Sequence, residues 1–435
     1  MLLRFAATNH ASMRDRQELS MVAIDNHPDL ALGKIPQTEN MSALPVVGIF
    51  GPNASGKSNT VDALAYMRWC VVTSHQKWLP DKPISRRPFL LDGEVSERPS
   101  EYEADFIVSG VRYNYGFVCS DEEIIEEWLF SYPERRRRTL YVRKSGSPIS
   151  FGSTLVGPKK LVEKSVRRNS LFLSAAAANN FEALQPVYRW FDRIRYASSS
   201  NEKQRLDFTL HYMERHDRGA VIDLLSFADL GVVDMSVSKP EVTPEMIDRF
   251  KAMLDMLGVD EGEVDPENYL TPDIEVKHKT SDGIKGLPFG HESTGTRTWL
   301  SLTGPILQSL KQGRILVVDE LDARLHSTLS AELVRLFQDP ITNKNGAQLI
   351  FNSHDTTLLG KNAPCRLRRD QVWFAEKDDD GATHLFPLTD YRVREGIDNV
   401  QRGYLRGRYG AVPFFDDTLL ISAFAEREET DGTRH

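Results

Sequence analysis

The chain's 435 residues are enough for about two to three structural units, and an apolar share of 40% can bury a sizeable core. Lys and Arg number 54 against 62 Asp and Glu, so the net charge of -8 supplies no global pull toward nucleic acid, and any such contact needs a local patch. Cys70, Cys119 and Cys365 stand far apart and offer neither a disulfide framework nor a metal knuckle. With no charged-then-apolar leader and no long apolar run, the expectation is a soluble cytoplasmic chain without membrane association.

In chain order, Leu2 to Thr8 and Gln17 to Ile24 read as a short strand pair, and Leu44 to Phe50 as a strand buried inside a sheet. A glycine-rich loop follows at once. Val61, Leu64, Ala65, Arg68, Val71 and Val72 then fall at helical spacing. Tyr102 to Arg143 alternates, with Tyr113, Tyr115 and Phe117 on one face, which predicts antiparallel strands. From Lys160 to Leu257 helical periods dominate, as in Val187, Trp190, Phe191 and Ile194 or in Met246, Phe250, Met253 and Leu254. Arg314 to Glu320 is a second buried strand, Leu329, Leu333, Leu336 and Phe337 mark a helix, and Gln348 to Asn352 is a third strand. Strands alternating with helices imply a parallel sheet. The end, Ala425 to His435, is polar and without periodicity.

The loop Gly51-Pro52-Asn53-Ala54-Ser55-Gly56-Lys57-Ser58, with Asn59 opening the helix, has the spacing of a phosphate-binding P-loop. Its glycines let backbone N–H groups wrap phosphates, Lys57 neutralises their charge, Ser58 ligates magnesium and the helix adds its positive end. Ile315-Leu316-Val317-Val318-Asp319-Glu320 ends an apolar strand in two carboxylates. Asp319 is assigned to Mg2+, and Glu320 to polarising the attacking water as general base. Two carboxylates beside a phosphate repel by roughly 4 kcal/mol per pair of unit charges at about 4 Å and an effective dielectric of 20, so the metal is implied. The substrate expected is Mg-ATP.

Glu292-Ser293-Thr294-Gly295-Thr296 precedes a helix carrying Leu300, Leu302, Ile306 and Leu307, and suits a γ-phosphate at a helix N-terminus; the rival reading is a plain N-cap turn. Asn352-Ser353-His354-Asp355 puts His354 at a strand's carboxyl end, the edge at which open α/β sheets bind ligands. Together with Phe5, Asn9 to Asp15, Asn53 and Glu320-Leu321-Asp322-Ala323-Arg324-Leu325-His326, these motifs resemble the AAA ATP-binding proteins with an ABC-type head, the RecF, SMC and OLD relatives of genome maintenance and anti-phage defence. Tyr404 to Pro413 resembles ATPases encoded beside RloB-like or other TOPRIM effectors. The resemblance implies a homodimer in which Ser293, Thr294 and Gly295 of one copy complete the ATP site of the other. It also implies His354 as the switch residue and a separately encoded effector nuclease.

The expected fold is α/β, an ABC-type P-loop NTPase head with an antiparallel β layer and a helical insertion. The division is an N-terminal ATPase lobe over 1–155, the insertion over 156–270, a C-terminal ATPase lobe over 271–376, and a hairpin and tail over 377–435. Thr294 departs from the glycine of transporter-type signatures, and Gln76 is a poor candidate for the Q-loop, which implies slow or partner-dependent turnover. Asp378-Asp379-Asp380-Gly381, between two apolar stretches, reads as a hairpin turn and not a nuclease metal site. Arg135 to Arg138 reads as a solvated hairpin, with contact to a nucleic-acid backbone as the rival. For Arg402, Arg406 and Arg408, packing of the last strands and docking of an effector stand as equal readings.

Overall fold

The computed structural model describes residues 1–36, 38, 41–228, 230–238, 247–249, 272–394, 397–412 and 418. Met246, Phe250, Met253 and Leu254, the positions that mark an expected helix, and the polar stretch 425–435 lie outside these residues.

The chain opens with β1 (Leu2–Thr8), β2 (Gln17–Ser20), β3 (Gly33–Lys34), β4 (Ser42–Ala43) and β5 (Val46–Phe50), then α1 (Lys57–Thr73) and α2 (Gly93–Glu97). An antiparallel set follows: β6 (Ser100–Val108), β7 (Val111–Cys119), β8 (Ile124–Tyr132), β9 (Arg138–Lys144) and β10 (Ser150–Phe151). Next come α3 (Lys159–Ser165), α4 (Phe172–Ala178), α5 (Gln185–Asp192), β11 (Arg195–Ser198), α6 (Glu202–Arg215), α7 (Arg218–Phe227) and β12 (Val232–Ser238). Further along lie β13 (Asp273–Thr280), β14 (Gly283–Pro288), α8 (Thr294–Gln312), β15 (Ile315–Asp319), α9 (Ser327–Gln338), β16 (Gln348–Asn352), β17 (Val372–Lys377), β18 (Thr383–Pro387) and α10 (Val400–Leu405).

Two large sheets organise these elements. One runs β10-β9-β8-β7-β6-β1-β2 and is antiparallel throughout; the other runs β11-β15-β16-β5-β17-β18, parallel except for its last strand. Period-two alternation divides the parallel strands between two cores. Val47, Ile49, Val317 and Ile350 join α1, α4 and the antiparallel layer. Val46, Phe50, Val318 and Phe351 join α6, α7, α8 and α9. A strand buried on both faces reads as an unbroken apolar run, which is why 46–50 and 315–319 were legible.

Some expectations need correcting. The second strand stops at Ser20 and not at Ile24. Inside the stretch expected to be helical, β11 adds an edge strand parallel to β15, and β12 pairs with β13. Four residues between two helices are too few to display a period. Gln76 follows the carboxyl end of α1, whose 17 residues run about 25 Å, so it lies at the helix end remote from the P-loop.

Pro305 sits inside α8, where it removes the donor that Ser301 O would receive from an ordinary helix. Thr209 Oγ1 of α6 lies 3.0 Å from Ser301 O and supplies that donor. Asp378 accepts from the amides of Asp380 and Ala382, closing the turn between β17 and β18 as a hairpin. Arg135 to Arg138 are exposed at the β8–β9 turn, with Arg137 stacked 3.6 Å over the Phe130 ring.

Candidate active site

The carboxyl ends of β5, β15 and β16, adjacent in the parallel sheet, bring three motifs together. The loop after β5 carries residues 51–56 into α1. Gly56 caps that helix in the left-handed region at φ 97°, and a Cβ there would come within 1.9 Å of Thr383 Oγ1. Ala54 is also left-handed. Such backbone states survive only where their surroundings over-determine them. Here Thr383 Oγ1 donates to Ser55 O at 2.9 Å and meets Ser12 Oγ at 2.7 Å, while Asn59 Nδ2 donates to Ser12 Oγ at 2.6 Å. The loop is therefore held by β18 and by the chain's first turn.

Lys57 Nζ donates to the carbonyls of Gly51 at 2.9 Å and Pro52 at 2.8 Å, and lies 3.4 Å from His354 Nδ1. Burial pulls its ammonium down to about 8, although Asp322, Glu320 and Asp319 draw it the other way. Burial, then Lys57, also lowers the His354 imidazole below its ordinary value, which keeps the ring neutral at pH 7.

Asn352 joins the remaining parts. Its Nδ2 donates to Asp319 Oδ1 at 2.6 Å and to Ser58 Oγ at 3.3 Å, and its Oδ1 accepts from Glu320 N at 2.6 Å. Glu320 is left-handed at φ 59°, and its carboxylate accepts from Ser199 Oγ at 2.7 Å. Tyr196 lies 3.4 Å from Asp319 Oδ2, and Asp322 accepts from His354 N at 3.2 Å. A cleft of about 560 Å³ is lined by Asn53 through Asn59, Glu320, His354 and Lys377. Two features fit a Mg-nucleotide. The buried Ser55 Oγ has no hydrogen-bond partner. The hard-oxygen donors Ser58 and Asp319 share one bridging amide, an arrangement suited to a small divalent cation.

Ser293, Thr294 and Gly295 do not line this cleft. Ser293 caps α8 by accepting from Thr296 N at 3.1 Å, and both Ser293 and Thr294 are exposed. Glu202 ties that helix start to the turn after β15: it accepts from Arg297 at 2.5 Å and from Arg324 at 3.3 Å.

Several of these residues carried no role in the sequence reading. Asn352 and Asp322 stood inside recognised strings, so their positions at a strand end and after Glu320 were usable signals. Tyr196 comes from the unrecognised strand β11, Ser199 from the turn directly after it, and Lys377 from a strand read only as half of a hairpin.

A family model described as an AAA domain, putative AbiEii toxin, type IV TA system, matches residues 46–360, well over half of the sequence. The chain belongs to this family. Its fold is that of an ATP-binding AAA-domain ATPase, with P-loop, acidic strand end and strand-end histidine in the order described above. No curated protein sequence matches the chain. Similar solved structures include the SMC head domain from Thermotoga maritima, at 13% identity over 90% of this chain and 99% of that one, with a TM-score of 0.39. Another is an SmcHead bound to the C-winged helix domain of ScpA, at 11% identity over 89% and 97%, with a TM-score of 0.43. Both likenesses are distant. Among the described residues no helix is long and apolar enough to cross a membrane.

Proposed function

We propose that this chain hydrolyses Mg-ATP, closes as a head-to-tail homodimer, and uses closure to hold or release a separately encoded effector nuclease in anti-phage defence in the cytoplasm. The observation that carries the reading is the convergence of Ser58, Asp319 and Glu320 on Asn352 beside the P-loop. The backbone of residues 51–59 binds the triphosphate, with Lys57 leaving its loop carbonyls for phosphate oxygens. Ser58 and Asp319 would hold magnesium, which would supply charge neutralisation for the transferring phosphoryl group. Glu320 orients and deprotonates water, and the neutral His354 accepts a hydrogen bond next to it. Exposure of Ser293 and Thr294, outside their own cleft, supports their completing a second copy's site. The family description names a putative toxin of a toxin–antitoxin system, which fits a chain that acts with a partner gene product.

ATP turnover and solution size of wild type and Glu320→Gln test this. Turnover falls by roughly 10²- to 10⁴-fold with ATP binding retained, and ATP traps the variant as a dimer. Undiminished turnover removes Glu320 from the role, and a variant that stays monomeric with ATP removes the dimer.

A second reading, a RecF-like repair ATPase, draws on the exposed Arg135 to Arg138. It requires ATP-dependent duplex binding with a salt slope near -0.9 per phosphate contacted, lost when all four become Ala.

A further inference from the structure

A second cleft, of about 390 Å³, opens where α8 turns into β15 and faces α5 and the β6–β7 turn. Its wall includes Arg189, Trp190, Arg193, Gly313, Arg314 and Ile107. Arg314 immediately precedes β15, whose far end carries Asp319; five strand residues separate the two clefts by roughly 16 Å.

Arg189, Arg193 and Arg314 line the cleft, and Arg68 and Arg195 lie beside it. Arg68 and Arg195 have an ordinary structural use, since both donate to Asp192 O at the carboxyl end of α5, at 3.3 and 2.9 Å. The other three do not. Arg189 and Arg193 are exposed, and their guanidinium groups make no hydrogen bond or ion pair among the described residues. Arg314 donates to Gln308 Oε1 at 2.6 Å, but its Nε is buried without a partner. Burial and repulsion from Arg195 and Arg193 pull the Arg314 guanidinium down to about 10, with Asp192 the opposing carboxylate. Asp192 is itself half exposed and sits 3.8 Å from Arg68. Three under-neutralised guanidiniums around one concavity is what an anion site needs, and planar guanidinium forks match phosphate best.

Trp190 adds a second element. It stacks on Phe106 at 4.0 Å and 13°, is held edge-on by Phe191 at 4.8 Å, and still borders the cleft. A braced indole next to phosphate-binding arginines offers a base a stacking surface.

We infer that the cleft formed by Arg189, Trp190, Arg193 and Arg314 binds a nucleotide unit, its phosphate on the arginines and its base against Trp190, at a site separate from the P-loop. The ligand is either a free nucleotide or one unit of a single strand.

The test uses the full chain carrying Lys57→Ala, to weaken the P-loop, with and without Arg189→Glu and Arg193→Glu. Both arginines are exposed, so the fold is retained, which circular dichroism checks. The probes are fluorescent AMP and a labelled single-stranded DNA of about ten nucleotides, read by anisotropy at about 100 mM salt, with pyrophosphate as competitor. At least a tenfold loss of either probe on charge reversal supports the site. Loss of AMP identifies the free nucleotide, and loss of the oligonucleotide alone identifies the strand. Equal binding by reversed and parent chains overturns the site, as does failure of both probes to bind the parent chain below about millimolar concentration. Pyrophosphate that displaces AMP as well as unlabelled AMP does overturns the part assigned to Trp190.

Discussion

The two clefts stand at opposite ends of β15 and are built in opposite ways. At the carboxyl end, most of the lining belongs to one continuous stretch, residues 53–59, a tight loop into a helix start whose backbone amides suit a phosphate. At the amino end, the lining comes from side chains more than a hundred residues apart, on α5 and at the α8–β15 turn. A site made by backbone leaves a motif in the sequence. A site made by side chains on separate elements leaves isolated arginines that look like any solvated surface.

The sharpest way to break this contrast is at Asn352, a side chain on which the backbone-built cleft depends. Asn352→Ala removes the donor to Asp319 and Ser58 and the acceptor for Glu320 N. Loss of a partner that orients metal ligands costs about 10- to 100-fold in activity. The expected result is a turnover reduced by that factor with ATP affinity changed far less. Equal losses in turnover and affinity would mean that Asn352 only supports the fold.

A smaller effect separates the clefts by proton uptake. Burial holds the Lys57 ammonium at about 8 against an ordinary 10.5. For a base lowered by folding, the free chain gains stability as pH rises through about 8 toward the unfolded value. ATP binding runs the other way, because phosphates favour the ammonium. Affinity is flat below pH 8 and falls above it by at most about tenfold per unit. Titration calorimetry in buffers of different ionisation heat detects the proton taken up at pH 8.5 to 9. In Lys57→Ala that uptake vanishes. Uptake surviving the substitution would assign it elsewhere.

How much was legible follows from the same distinction. The buried strands 46–50, 315–319 and 348–352 showed as apolar runs, and the antiparallel layer from Tyr102 and the helix after Ser293 showed their period. Gly56, Lys57, Ser58, Asp319, Glu320 and His354 were legible as candidates because they lie in short strings with fixed spacing, and the structure brings them to one sheet edge. The strand β11 was missed because four residues between two helices show no period, and Tyr196 and Ser199 went with it. The helix carrying Leu300, Leu302, Ile306 and Leu307 was read across Pro305, but the donor that replaces the missing amide, Thr209, lies 96 positions earlier on another helix and left no signal. The contact of Ser12 and Thr383 with the P-loop depends on tertiary placement alone.

The smallest effect decides whether the two clefts are independent. Phosphate that binds N and not U at each cleft would raise the melting temperature by mass action, RT ln(1 + [L]/Kd), about 1.4 kcal/mol at ten times Kd. In a chain of this size that is a shift of only about 1 to 2 °C per site. Phosphate also stabilises proteins generally by exclusion from their surface, so the informative quantity is the difference between wild type and variants at equal ionic strength. Lys57→Ala should remove one increment, Arg189→Glu with Arg193→Glu the other, and the triple variant both. Sites more than about 10 Å apart with no shared partner add in this way. A triple variant that loses less than the sum would show that β15 couples its two ends, so that a ligand on Arg314 reaches Asp319 through a single strand. A charge-reversed pair that loses nothing would leave the P-loop as the phosphate site and return Arg189 and Arg193 to the solvated surface.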